Sequence, residues 1–261
     1  MIRALRTAAS GMYAQELQLD NTANNLANIQ TTGYKSQRVN FQDLYYDHIP
    51  APSSLSRESA SSGMIEVGYG SQVAGTSRNY QQGTVVATEN PTDVAIMGDG
   101  FLRLEMPDGN YGYTRDGALQ LSPEGTLVTS SGYQVDPQIV VPPETSSLAI
   151  TQDGVVWGYM PGDTEPQQLG QITLTRFINP SGMKGMGENI FTATDASGEA
   201  VDVIPGEEGA GIIKQGYLEQ SNVSSVEEMV TLMSCQRAYE INSKSIKAAD
   251  QVLGTISDLR R

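Results

Sequence analysis

Two stretches with helical spacing stand at opposite ends of this 261-residue chain, and everything else has to fit between them. Leu5, Ala8, Met12, Leu19 and Leu26 fall three, four or seven residues apart, interrupted by Gln15 and Thr22, which puts them on one face of a helix. At the other end Val226, Val230, Met233 and Ile241, then Ala248, Val252, Ile256 and Leu259, supply a longer stripe. Ser224 and Ser225 precede Glu227 and Glu228 by three residues, the spacing of a capping box that satisfies free amides at a helix start. At 1.5 Å per residue the first helix, from about Ile2 to Asn28, reaches ~40 Å, and the second, of roughly 35 residues, ~50 Å. Both seams are narrow, closer to a coiled-coil edge than to a helix buried in a globule. Pairing with each other is the economical solution, so the expectation is an α+β chain. Its two terminal helices form a coiled-coil-like domain with an antiparallel β-rich domain inserted between them.

The middle of the chain obeys a different rule. Asp108-Gly109, Asp116-Gly117 and Glu124-Gly125 recur every eight residues and Asp153-Gly154 follows, flanked by "YGYT", "ALQL", "TLVT" and "VVWG". Glycine supplies the positive backbone angle of a tight turn, so this spelling predicts short antiparallel strands joined by hairpins. A calcium site is the sharper alternative for these acids, but no EF-hand alternation of ligands is present. Between helix and strands, "YYDHIPAPSSLSRESASSGM" is rich in Ser, Ala and Pro and has no period, which reads as a linker or extended arm. Tyr45, Tyr46, Ser53, Ser54, Ser61 and Ser62 belong to it. The predicted organisation is residues 1–44 and 217–261 in the helical domain, 45–70 in the arm and 71–216 in the β-rich domain.

Charge is distributed by region. Residues 82–216 hold 18 Asp and Glu against 5 Lys and Arg, while 1–45 and 217–261 together hold 9 of each, within a net charge of −14. An acidic surface repels phosphate backbones and anionic lipid, so nucleic-acid or membrane binding by electrostatics is not expected. No apolar run is long enough to span a bilayer, and the N-terminus carries no cleavable secretion signal. The single cysteine, Cys235, lies inside a helical pattern and reads as a small buried hydrophobe.

No catalytic constellation emerges. His48 is the only histidine and sits in the arm, without a G-x-S-x-G context anywhere. Asp93, Asp99, Glu105 and Asp116 fall in one β-rich region, but beyond Tyr111, Tyr113 and Trp157 there is no aromatic sugar platform. One His and one Cys do not make a zinc site, and "MGDGF" lacks the Lys-Ser/Thr of a phosphate loop. Tyr69 and the arm tyrosines read as packing or interface residues, and Met183 and Met186 as part of a flexible loop. No cofactor or metal is expected. The segment "ANNLANIQTTGYK", Ala23 to Lys35, is therefore read as a contact or positioning element, because Asn neither ionises nor attacks near neutral pH but both donates and accepts hydrogen bonds. Gly33 is its turn.

Taken together, the opening helix, "ANNLANIQTTGYK", "FQDLYY", "DVAIMGDGFLRLEMPDG", "YTRDGALQL", "QGYLEQSNVSSVEEMV" and "QRAYEINSKSIKAADQVL" resemble the bacterial flagellar axial proteins of rod and hook, across nearly the whole chain. The "QRAYEINSK" ending and the length resemble the distal rod group most, with proximal rod and hook subunits as competitors. From a different class, a secreted carbohydrate-active or adhesive β-protein would explain the hairpins but not the two long helices. The resemblance implies a non-enzymatic subunit that polymerises helically into a hollow drive shaft across the periplasm. It also implies export through the flagellar type III apparatus, proximal rod and hook subunits as neighbours, and surrounding P- and L-ring proteins. The terminal helices would form the inner tube wall, with Leu5, Met12, Leu19, Asn24, Asn25, Leu26, Asn28, Gly33 and Tyr34 from the first end as self-assembly contacts. Val230, Met233, Ile241, Val252, Ile256 and Leu259 would serve from the second. The arm would act as a strut, and the acidic β-rich domain would face the rings.

Overall fold

The computed structural model describes residues 2–50, 64–161, 165–207 and 209–259. Among them two α-helices, α1 (Ile2–Ala27) and α2 (Ser225–Leu259), bracket twenty short strands. The chain divides into two compact units. One comprises Met1–Leu26, Gln37–Ser77 and Ser224–Arg261; the other comprises Ala27–Ser36 and Arg78–Val223.

In the first unit, α2 begins where Ser224 caps it: the Glu227 amide donates to the Ser224 hydroxyl at 3.5 Å and the Glu228 amide to the Ser224 carbonyl at 3.0 Å. The Glu228 side chain instead accepts a bond from Asn25 Nδ2 at 2.9 Å. Further along, a Cβ at Gly11 would lie 3.1 Å from the Asn242 amide nitrogen. Gly11 to Asn25 covers the same number of residues as Asn242 back to Glu228, so the helices run antiparallel. Strand Tyr46–Pro50 pairs with Met64–Gly68 from Tyr46↔Gly68 to Pro50↔Met64, closing the two stems of the arm on each other. Arg3 meets Asp47 at 2.9 Å and Gly70 lies against Ser10, tying α1 to this region.

The expected coiled-coil-like α+β arrangement is corrected here. Strand, not helix, makes up most of the elements, and among the described side chains of the helices the buried ones are Ala14, Thr22, Asn25 and Cys235, none of them a large apolar knob. The face of α2 that is turned inward runs through Glu228, Leu232, Cys235, Ala238 and Asn242, all buried or half-buried. Val226, Val230, Met233 and Ile241, the stripe read from the sequence, lie exposed. Small and polar side chains let the helices approach, and the more apolar face of α2 is left outside. A knobs-into-holes seam needs the reverse.

The second unit is built on a nine-stranded antiparallel sheet. Strands Lys184–Gly187, Ile190–Thr192, Tyr111–Thr114, Phe101–Glu105, Gln134–Asp136, Leu127–Thr129 and Leu119–Leu121 neighbour one another in that order. Leu174–Arg176 branches from Phe101–Glu105 and carries Val201–Val203. A three-stranded meander, Ser147–Ile150, Val155–Tyr159 and Gln167–Gln171, and two further pairs complete it. Val94, Ile96, Leu102, Leu104, Leu174 and Ile213 are among the aliphatic core residues, each contributing about 2 kcal/mol by leaving water. Tyr80, Phe101, Tyr113, Phe177 and Phe191 form a second cluster with edge-to-face contacts.

Gly109, Gly125 and Gly154 take positive φ in turns between paired strands, as the hairpin spelling requires. Asp116-Gly117 does not make a hairpin. A Cβ on Gly117 would lie 1.7 Å from the Val94 carbonyl, so glycine serves close packing there. The half-buried Asp116 carboxylate accepts from the Thr32 hydroxyl at 2.8 Å and the Ala118 amide at 3.1 Å; burial raises its pKa and these bonds oppose the rise.

Candidate assembly surface

The outward face of α2 in the first unit carries exposed apolar side chains interspersed with exposed Arg237, Glu240, Lys244 and Lys247. Ile241 is 61 % exposed, Val230 53 %, Met229 51 % and Met233 49 %, and Val252 is exposed further along. A cluster of exposed apolar side chains on a helix marks a contact site. On α1 the predicted contacts Leu5, Met12, Leu19 and Leu26 are half-buried, and Asn24 is exposed. The side chains of Ile256 and Leu259 lie outside the described residues, as do Ser53, Ser54, Ser61 and Ser62 of the arm. Tyr45 and Tyr46, at the root of the arm, are exposed, as is Phe41.

Asn25 is buried and committed within the first unit. Its Oδ1 accepts the Gln37 amide at 2.9 Å, while its Nδ2 donates to the Gln37 carbonyl and to Glu228, each at 2.9 Å. Asn21 adds a 2.7 Å bond to the same carbonyl. The amide-rich stretch thus holds the strand that starts at Gln37 and the first turn of α2.

In the second unit the Asn28 side chain accepts the Thr31 hydroxyl at 3.1 Å, and Gly33 and Tyr34 of the same motif meet residues 219 and 222, near the end of that unit in sequence. Gly33, at φ +67°, donates its amide to the Glu219 carbonyl at 2.8 Å, and a Cβ there would stand 2.7 Å from the Arg115 backbone. Tyr34 is buried. Next to it is a cluster that reading the sequence missed. Lys35, Arg115 and Glu219 are all almost fully buried. Lys35 Nζ donates to Glu219 Oε1 at 2.6 Å and to the Gln81 carbonyl at 2.8 Å, and Arg115 Nη1 donates to Glu219 Oε2 at 3.0 Å. The Gly83 amide adds a third donor to the Glu219 carboxylate at 2.8 Å. Burial lowers the Lys35 pKa, with Glu219 opposing the shift. The signal in the sequence was faint: a single Lys ending an amide run, and a single Glu inside the apolar spelling "GYLE".

The cluster has no open reacting position. Every oxygen of Glu219 is occupied by a donor of the chain, so the arrangement fixes backbone segments and does not present an acid or base to a substrate. Among the described residues no group of three or more His, Cys, Asp or Glu side chains could hold a metal ion, and no helix is long and apolar enough to cross a membrane.

Both elements, the outward face of α2 and the motif that anchors the start of the β-rich unit, fall in segments shared with known proteins. Residues 5–35 match the flagella basal body rod protein family, 95–158 the flagellar hook protein FlgE/F/G D1 domain, and 214–259 the flagellar basal body rod FlgEFG protein C-terminal family. The flagellar basal-body rod protein FlgG of Borreliella burgdorferi is 47 % identical over 264 residues, covering all of both chains. Those of Buchnera aphidicola from Schizaphis graminum and of Caulobacter vibrioides are each 42 % identical, covering 99 % of this chain and all of theirs. The chain belongs to the flagellar basal-body rod protein family. As a rod protein it is a structural component of the flagellar basal body, working within a polymeric assembly. The matched C-terminal segment contains the exposed α2 face from Val226 to Val252.

Proposed function

We propose that this rod protein is the distal-rod subunit: it polymerises helically into a hollow shaft that transmits torque and encloses the export channel. The observation that carries the reading is the outward face of α2, whose apolar side chains stay in water on the isolated chain. Covering Val230, Met233, Ile241 and Val252 with copies of the same chain removes that exposure, and each aliphatic side chain buried contributes on the order of 2 kcal/mol. Leu5, Met12, Leu19 and Leu26 of α1 join this contact surface, with Asn24 at its polar margin. Proximal rod and hook subunits are its neighbours along the shaft, and the P- and L-rings surround it.

The reading assigns no catalysis and no cofactor. Export proceeds through the flagellar type III apparatus. The acidic surface between residues 82 and 216 faces the rings, where like charge discourages adhesion to a surrounding bushing. Residues 45–70 act as a strut between subunits.

The test is Ile241→Glu, alone and combined with Val230→Glu. Both positions are exposed, so the melting temperature of the monomer stays within about 2 °C of wild type, as expected of surface substitutions. Polymerisation, followed by sedimentation, and restoration of motility in a strain lacking this chain are both lost. Normal assembly by the double variant would overturn the reading.

A further inference from the structure

The chain passes from one unit to the other at the Ser36–Gln37 bond, and asparagine side chains hold the backbone on both sides of it. On the Ser36 side, within the second unit, Asn222 Oδ1 accepts the Ser36 amide at 2.8 Å and the Ser36 carbonyl accepts the Asn79 amide at 2.9 Å. Asn222 Nδ2 donates to the Asn79 carbonyl at 2.8 Å and the Gln81 carbonyl at 3.1 Å. On the Gln37 side, within the first unit, Asn25 accepts the Gln37 amide and donates, with Asn21, to the Gln37 carbonyl. Thus the amide and carbonyl of two consecutive residues at a unit boundary are all bound, three of the four by asparagine carboxamides and the Ser36 carbonyl by the main-chain amide of Asn79.

Each clasp also gathers other passages of the chain. Asn222 stands two residues before α2's cap and binds Asn79, just past the return at Arg78. Asn25 stands one residue before the chain leaves the first unit and binds Glu228, in the first turn of α2. A carboxamide suits this task because it offers an acceptor and two donors on one rigid plane, without a charge to desolvate.

We propose that Asn25 and Asn222 are positioning residues that lock the chain passages on either side of Ser36–Gln37, so that a turning subunit carries torque through several cross-tied segments. This rests on the shaft reading above. Hydrogen bonds in shear across several segments must break together, whereas an untied passage peels one bond at a time.

The experiment combines residue-resolved amide exchange on the purified full chain with swimming in media of increasing viscosity. In Asn222→Ala the Ser36 amide exchanges about five- to tenfold faster, the change expected from one lost hydrogen bond, while Gln37 and the core amides of Leu102, Leu104 and Leu174 keep their rates. In Asn25→Ala the pattern is reversed between Ser36 and Gln37. Asn222→Asp, which retains the acceptor but loses both donors, keeps Ser36 protected. Cells carrying Asn222→Ala or Asn222→Asp build complete flagella and swim at wild-type speed in dilute medium, but lose speed or shed filaments at tenfold higher viscosity.

Unchanged Ser36 exchange, or exchange that rises uniformly through the core, overturns the proposal. So does wild-type speed under load, or failure to build flagella, which would make Asn222 a folding or assembly residue only. The shaft reading fails separately, if a strain lacking the whole chain still makes flagella.

Discussion

Replacing Glu219 by Gln removes the one anion that two buried cations share. Lys35 and Arg115 lie 2.6 and 3.0 Å from its oxygens, and the substitution leaves both in the interior with a neutral acceptor. Removing one partner of a buried ion pair costs about 3–5 kcal/mol, and two stranded cations place this case at the upper end. With a urea slope of about 2 kcal/mol per molar, ~4 kcal/mol moves the unfolding midpoint down by roughly 2 M. Trp157, the only tryptophan, sits in strand Val155–Tyr159 of the same unit and reports that transition by fluorescence. Lys35→Met behaves differently. Glu219 keeps Arg115 and the Gly83 amide, and the cost of burying an ammonium disappears, so the loss is about 1 kcal/mol. The double variant recovers part of the Glu219→Gln loss. Equal losses in the two single variants, or strict additivity in the double, would refute the shared-anion account.

The same cluster predicts a pH dependence. The folded Lys35 pKa lies below its ordinary 10.5, so in the window between the two values the unfolded chain binds more protons and the Lys35 contribution grows more favourable as pH rises. The stability difference between wild type and Lys35→Met, measured in urea from pH 7 to 10, shifts towards wild type; a constant or opposite trend counts against it. Gly33→Ala forces a Cβ to within 2.7 Å of the Arg115 backbone at a left-handed angle. It costs about 3 kcal/mol, read as a lowered Trp157 transition, and a neutral result would mean that the turn is not rigid.

Hairpins were legible because they are local: Gly109, Gly125 and Gly154 each need a positive φ within four residues of chain, and their spelling says so. Gly117 has the same spelling but owes its identity to the Val94 carbonyl more than twenty residues away, and no local rule finds it. The two terminal helices were legible from period and cap. Which face of α2 turns inward was not. Periodicity ranks faces by hydrophobicity, whereas the chain buries Cys235, with Leu232, Ala238 and Asn242 half-buried beside it, and leaves Val230, Met233 and Ile241 outside. The amide run advertised hydrogen bonding, but its targets, Gln37 and Glu228, appear only when segments 203 residues apart meet at Asn25. Lys35 and Glu219 were hidden for the same reason, since charges are placed in a core only by their partners.

Oxidative footprinting of methionines tests the central claim most directly, because the chain carries its own controls. Met229 and Met233 lie on the outward face of α2, and Met97 and Met186 are comparably exposed in the β-rich unit. Comparing the monomer with the sedimented polymer, the account predicts that oxidation of Met229 and Met233 slows at least tenfold on assembly while Met97 and Met186 change little. Met229 and Met233 oxidised as fast in the polymer as in the monomer would mean that this face stays in water, and that the shaft is not built on α2.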